Sequence, residues 1–172
     1  MDIRGRCDGD VPALESLARM VYETDGYPIY LPADLRDFLV GPAAHGAWVA
    51  AEGGELLGHV ALHRRSWADV MELACQSTGL AQADLAVVAR LLVSPAARRR
   101  GIGRVLLATA TTAALDMGLC PILDVAARYE AANRLYRAEG WQSLGTVRFP
   151  MPDGTTVEEH VYLGPRSSRV RP

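Results

Sequence analysis

The sequence predicts one mixed α/β domain whose sheet contains at least one parallel crossover. Three observations carry this. Leu85–Val93 is nearly continuous apolar and β-branched, a helical periodicity follows over residues 102–117, and a second buried run covers Pro121–Ala126. Strand, helix and strand in that order form a parallel unit, and such strands, covered on both faces, read as unbroken apolar runs.

The remaining elements follow in order. Residues 2–7 read as a short first strand. Asp10 is placed to cap a helix with Pro12 in its first turn. Leu14, Leu17, Ala18 and Val21 then keep the i, i+3, i+4, i+7 spacing of a buried face. Asp25-Gly26-Tyr27-Pro28 ends that helix, and Leu35, Phe38 and Leu39 mark a short second one that ends near Gly41-Pro42. Trp48–Ala51 and Leu56–His63 flank Gly53-Gly54, a hairpin whose glycines supply positive φ. A short helix is expected over Asp69–Cys75. On the helix after Leu85–Val93, residues Ile102, Val105, Leu106, Thr109, Ala110, Ala113 and Met117 share one face, and Gly118 suits the C′ position. Ala131–Glu139 is helical up to Gly140. Ser143–Phe149, the turn Met151-Pro152-Asp153-Gly154 and Thr156–Leu163 form a second hairpin.

At 172 residues, 49% apolar and 22% charged, the chain has globular composition and can bury one ordinary core. A net charge of −2 argues against general nucleic-acid binding, which requires many phosphates to be neutralised. No run approaches the roughly 18–20 apolar residues of a membrane span, and the first residues lack a signal peptide's apolar core, so no membrane partner and a cytoplasmic location are expected. Cys7, Cys75 and Cys120 form no Cys-x-x-Cys pair and are expected as small buried hydrophobes. The tail from Arg166 to Pro172 reads as a frayed end.

Chemistry concentrates at Arg98-Arg99-Arg100-Gly101-Ile102-Gly103-Arg104. A strand leads into this basic glycine turn, and a helix opens from it. Glycine lets backbone approach a ligand closely, and the first N–H groups of a helix face an anion. A tight strand-to-helix turn with solvated arginines is the plain alternative. A Walker A loop is excluded because no Gly-Lys-Ser/Thr follows, and Leu106 stands where a dinucleotide fingerprint needs its third glycine. His59 and His63 are spaced like a helical metal pair, but Gly58 and the alternation around Val60 and Leu62 place them on a strand. Four residues then span roughly 13 Å, too far for one metal.

Downstream stand Leu123-Asp124-Val125 and then Ala132-x-x-Leu135-Tyr136-x-x-x-Gly140-Trp141. Together with Leu91-Leu92-Val93-Ser94-Pro95 and Arg98-x-x-Gly101-x-Gly103, this closely resembles the GNAT superfamily of N-acetyltransferases over residues 85–141. The resemblance implies a single GNAT domain over 1–165, with a sheet of about seven strands splayed between the fourth and fifth and flanked by helices. It implies acetyl-CoA as donor, no metal, and a small-molecule or peptide or protein amine as acceptor; it admits a homodimer. The donor pyrophosphate would lie on Arg98, Arg99, Arg100, Gly101, Ile102, Gly103 and Arg104. The pantetheine arm would run along Leu91, Leu92 and Val93, and Tyr136 would protonate the departing thiolate.

Two departures from the family pattern matter. Tyr129 stands where many relatives carry a cofactor-contacting asparagine. Val87 and Ala89 occupy the places where a strand glutamate commonly serves as general base, and Leu85–Leu92 holds no carboxylate. Either the acceptor is a less basic amine or another side chain serves, the candidates being Glu72, Glu158 and His160, each also readable as a surface residue. Tyr27, Tyr30 and Phe38 are acceptor-pocket candidates by position or, equally, an aromatic group packed under a loop. The missing glutamate keeps open a non-catalytic CoA-binding or regulatory module of the same fold. The turn by itself would also suit a nucleotide- or phosphate-binding α/β protein.

Overall fold

The computed structural model describes residues 1–41, 44–151 and 153–166. Its elements are β1 (Asp2–Gly5), α1 (Val11–Asp25), α2 (Leu35–Val40), β2 (Ala44–Glu52), β3 (Glu55–His63), α3 (Ala68–Thr78), β4 (Leu85–Val93), α4 (Ile102–Asp116), β5 (Cys120–Ala126), α5 (Glu130–Ala138), β6 (Gln142–Pro150) and β7 (Thr156–Leu163). The seven strands form one mixed sheet in the order β1-β2-β3-β4-β5-β7-β6. Among the described residues, no helix is long and apolar enough to cross a membrane. Pro42, Pro152 and residues 167–172, on which parts of the expected helix end, turn and tail fall, lie outside the described residues. The chain packs as two compact units, residues 1–62 with 89–110, and residues 63–88 with those from 111 onward.

In the first unit β1 runs antiparallel to β2, from Asp2 opposite Ala51 to Gly5 opposite Trp48. The apolar stripe of α1, Leu14, Leu17, Ala18 and Val21, is buried as its spacing predicts and packs with Leu35, Leu39 and Leu92. Asp10 behaves differently from the expected cap. It precedes α1 but makes no side-chain cap bond. Its carboxylate instead accepts two hydrogen bonds from Arg4 at 2.7 Å and one from the Cys7 N–H at 2.8 Å. A fork of two charge-assisted bonds outcompetes a neutral backbone donor. The Arg4 guanidinium holds the Asp10 carboxyl well below the usual carboxylate range. Asp34, by contrast, does cap α2, accepting from the Asp37 N–H at 2.7 Å.

The Gly53-Gly54 turn has φ of 60° and 86°, the pair of positive values a two-residue hairpin of mirror type requires. Gly58 on β3 meets a different constraint. A Cβ there would stand 2.8 Å from Leu106 Cδ1, 2.9 Å from the Leu92 carbonyl oxygen and 3.1 Å from Ile102 Cγ2. The start of α4 therefore rests on bare backbone.

On α4 the buried residues are Ile102, Leu106, Leu107, Ala110, Thr111 and Ala114. Val105 and Met117, expected on that face, are 39% and 48% exposed. The stripe is rotated toward Leu107, whose burial removes more apolar surface than that of Val105, and Met117 lies past the helix end at Asp116. The cysteines also depart from expectation: all three are free, Cys7 is exposed, and Cys75 and Cys120 are only half-buried.

In the second unit β4 and β5 pair in parallel over Leu85–Val87 and Cys120–Ile122. On its other edge β5 pairs antiparallel with β7 from Ile122 opposite Leu163 to Ala126 opposite Glu159. β6 completes this edge as the hairpin partner of β7, with an irregularity between Ser143 and Gly145. The hairpin turn closes through the Gly154 N–H, which donates to the Met151 carbonyl at 2.9 Å. Helix α3, longer than the expected Asp69–Cys75, packs Met71 and Ala74 against Leu85, Val87, Ile122 and Leu163.

Two outcomes test these packing statements. Gly58→Ala forces backbone and helix apart and is expected to cost about 1–3 kcal/mol, read as a lower midpoint in urea unfolding. Asp10→Asn lowers the thermal midpoint at neutral pH. Because the folded-state value of Asp10 is depressed, its contribution is full above the unfolded value of about 3.9 and fades as pH falls below it. The gap between variant and wild type therefore closes in acid, as calorimetry between pH 7 and about 3 would record.

Candidate functional site

The basic turn belongs to the first unit. After β4, the Ser94 N–H donates to the Leu57 carbonyl at 2.8 Å and the Ala97 N–H to the Ser94 carbonyl at 2.9 Å, which fixes the exit of the strand. Arg99 and Gly101 then take φ of 63° and 79°, a left-handed pair that turns the chain into α4. Beside Gly101 the space for a Cβ is open. The Val105 N–H bonds to the Gly101 carbonyl at 3.1 Å, so the N–H groups of Ile102 and Gly103 belong to the first turn of the helix. Open space beside a positive-φ glycine at a helix start fits a phosphate group.

Carboxylates engage Arg98 and Arg100. Arg98 forms a two-bond pair with Asp25, and Arg100 a two-bond pair with Glu52 at 2.7 and 2.9 Å. Arg100 and then the terminal amine hold the Glu52 carboxyl below its ordinary value. Leu92 is buried, while Leu91 and Val93 are half-buried. Tyr27 and Phe38 pack against the α1–α2 cluster, which suits their packing role, whereas Tyr30 is 49% exposed. Phe38 also receives Arg90, whose guanidinium lies 3.7 Å over the ring and whose Nε donates to the Phe38 carbonyl at 3.1 Å. Arg90 has φ of 55° within β4, and its carbonyl stands 3.0 Å from His59 Nδ1.

In the second unit, alternation along β5 and β7 divides the side chains between two faces. One face meets α5. There Tyr136 is 7% exposed, its ring tilted against Trp141 and Tyr162 with centroids 6.1 and 6.0 Å away. Asn133, one turn before it, is buried and donates through Nδ2 to the carbonyls of Ala126 at 3.1 Å and Tyr129 at 3.0 Å. Its Oδ1 accepts from the Tyr162 hydroxyl at 3.0 Å, which in turn accepts from Arg137 Nε at 3.2 Å. This network fixes the loop from β5 into α5 and the pitch of the helix that carries Tyr136. Tyr129 stands at the N-terminus of α5, its ring under the Arg128 guanidinium and its hydroxyl accepting from Arg128 Nη2 at 3.0 Å.

The opposite face carries Ile122, Asp124 and Ala126 of β5 beside Leu163, Val161 and Glu159 of β7. Asp124 Oδ1 accepts from the Ser66 hydroxyl at 2.6 Å. Burial first, and then the nearby Asp124, push the Glu159 carboxyl up to about 8. Its Oε2 is sealed from solvent and has no hydrogen-bond partner. Trp67, next to Ser66 in the chain, is 63% exposed, and its ring is tilted against Phe149 with centroids 5.6 Å apart.

The base candidates named from sequence are engaged elsewhere. Glu158 pairs with Arg148 at 3.0 Å, Glu72 accepts from Gln76 at 2.9 Å, and His160 Nδ1 lies 3.3 Å from the Thr146 hydroxyl. Sequence reading missed Asn133, Asp124 with Glu159, and Arg90. For Glu159 a signal was present: positions 157, 159, 161 and 163 read Val, Glu, Val, Leu, a carboxylate in an apolar row. Among the described residues, no three His, Cys, Asp or Glu side chains form a group that could hold a metal ion.

Comparison with known proteins places this geometry. No curated protein matches the chain. Solved structures do. Smu.2055 from Streptococcus mutans superposes with a TM-score of 0.75 at 15% identity, covering 97% of this chain and 100% of its own. yncA from Salmonella typhimurium, solved with its cofactor acetyl-CoA, gives 0.72 at 16%, covering 100% and 97%. The ribosomal-protein-S18-alanine N-acetyltransferase from Escherichia coli gives 0.68 at 16%, covering 99% and 98%. At such identities these likenesses speak for the fold. The family model of the GNAT acetyltransferases matches residues 12–141, and with that match the chain belongs to the GNAT acetyltransferase family.

Proposed function

We propose that the protein transfers an acetyl group from acetyl-CoA to a primary amine, carried by a small molecule, a peptide or a protein, by direct attack of the amine on the thioester. The observation that carries this reading is the basic glycine turn at the start of α4 in a chain of this family. The N–H groups of the first turn of α4, with Arg99 and Arg104, would receive the donor's pyrophosphate. Arg98 and Arg100 would reach it only by leaving Asp25 and Glu52. The main chain of Leu91–Val93 would pair with the pantetheine arm, and its N–H groups would polarise the carbonyl under attack.

Tyr136 is the proposed general acid. As the C–N bond forms and the C–S bond breaks, the sulfur leaves as a thiolate and takes the phenolic proton. A thiol with a pKa of about 8.5 is already a fair leaving group, so a positioned acid contributes roughly 10²–10⁴-fold and not the whole rate. The brace of Asn133 and the rings of Trp141 and Tyr162 support this role by fixing the tyrosine's place on α5.

Tyr136→Phe keeps the ring and removes the proton. It is expected to lower kcat by about 100-fold or more while leaving KM for acetyl-CoA and the thermal stabilisation by CoA nearly unchanged. Equal losses in turnover and cofactor affinity would make Tyr136 a packing residue. Stabilisation by CoA without thiol release across a panel of amines would make the protein a binding module.

A further inference from the structure

Arg90 interrupts β4. Its φ of 55° lies in the left-handed region, where glycine sits freely and a side chain brings strain. The first unit holds it there by three contacts. The Arg90 carbonyl stands 3.0 Å from His59 Nδ1, Nε donates to the Phe38 carbonyl at 3.1 Å, and the guanidinium carbon lies 3.7 Å over the Phe38 ring. Together they aim the side chain at α2 and fix the plane of its fork.

The charge itself is unanswered. Arg4, Arg98 and Arg100 each meet a carboxylate. Arg90 is half-buried, yet among the described residues no carboxylate pairs with it. A guanidinium keeps its proton and carries five N–H donors, of which Nε uses one. Nη1 and Nη2 make no hydrogen bond to the protein and, unlike the sealed Nε and Nη1 of Arg6, stay open to solvent. Beside them Tyr27, Leu31 and Phe38 pack on the α1–α2 cluster and make the surroundings apolar. A planar fork already oriented on a ring, with both outer nitrogens unused, matches the two oxygens of a carboxylate.

Position along the strand says which ligand would bring that carboxylate. A donor with its pyrophosphate on residues 98–104 and its arm running from Val93 to Leu91 delivers its thioester end beside Arg90, the next residue back. An anion held there belongs to the other substrate. We infer that Arg90 is a specificity-determining residue that pairs through Nη1 and Nη2 with a carboxylate of the acceptor, so that the amine acetylated belongs to an amino acid or another small carboxylate-bearing primary amine. This rests on the acetyl-transfer reading and names its substrate class. Phe38 keeps the fork in plane, and the apolar surface of Tyr27 and Leu31 receives the carbon chain between carboxylate and amine.

The test compares kcat/KM for matched amines with and without a carboxylate: L-leucine with L-leucinamide, β-alanine with β-alaninamide, and γ-aminobutyrate with n-butylamine. Wild type, R90K, R90Q and R90M are assayed with acetyl-CoA. The ratio of acid to neutral partner is compared between proteins, so differences in amine basicity cancel. For the pair that wild type turns over fastest, R90Q and R90M are expected to lower that ratio about 10–100-fold, chiefly through KM for the acid. R90K, which keeps the charge and loses the fork, falls between. In parallel, the Arg90 Nε–H resonance, recognised by its absence in R90K, is followed by NMR as sodium isovalerate, a carboxylate without an amine, is added to the CoA-loaded protein. It is expected to shift and saturate, whereas isovaleramide leaves it in place. A ratio unchanged in R90Q and R90M, equal losses for acid and neutral partner, or an Nε–H signal indifferent to isovalerate would overturn the inference and leave Arg90 as a clamp between β4 and α2. Failure of every amine together with no stabilisation by CoA sinks the acetyl-transfer reading instead; the isovalerate titration, run without CoA, then judges the carboxylate site alone.

Discussion

The two-residue period of β5 and β7 governs what the second unit can do. Because neighbours along a strand point to opposite faces, a single antiparallel ladder sends Tyr162 toward α5 and sends Asp124 and Glu159 toward the face that α3 covers. A slip of one residue would turn Tyr162 toward α3 and the two carboxyl groups toward α5. The apolar pair of Ile122 with Leu163 opposes that slip, since it would lose its packing against Met71 and Ala74 of α3. Register, set by hydrophobic burial, thus becomes the device that places chemistry.

The same logic explains what could be read in advance. Leu85–Val93 was legible to the residue because a strand buried on both sides leaves no polar alternation to misread. The stripe of α1 was legible because Leu14, Leu17, Ala18 and Val21, over about two turns, agree on one face. The face of α4 was not. Val105 and Leu107 both extend an apolar stripe from Ile102 and Leu106, and only the tertiary surface beneath decides between them. Asp10 was misread for a related reason: it stands where a cap belongs, but its choice of partner depended on Arg4, brought close by the fold.

Of the candidate site, the turn and the tyrosine were visible as motifs, because their chemistry depends on local backbone and helix phase. The two carboxyl groups were not, because Asp124 and Glu159 lie far apart in the chain and come to one face only through the ladder. Each looks ordinary alone. Their meaning belongs to the pair: burial and the nearby Asp124 together raise Glu159, which neither sequence position shows alone.

The ion pairs of Arg98 with Asp25 and Arg100 with Glu52 carry a consequence for how the turn meets an anion. The protein supplies its own counter-charges in advance, so the loop need not wait for a ligand to become ordered. Those carboxylates would also be incumbents: a phosphate arriving there would recruit the two arginines only by displacing them. The field seen at a distance is then weaker than four arginines suggest, and any anion binding there would favour a ligand with charge dense enough to win the exchange.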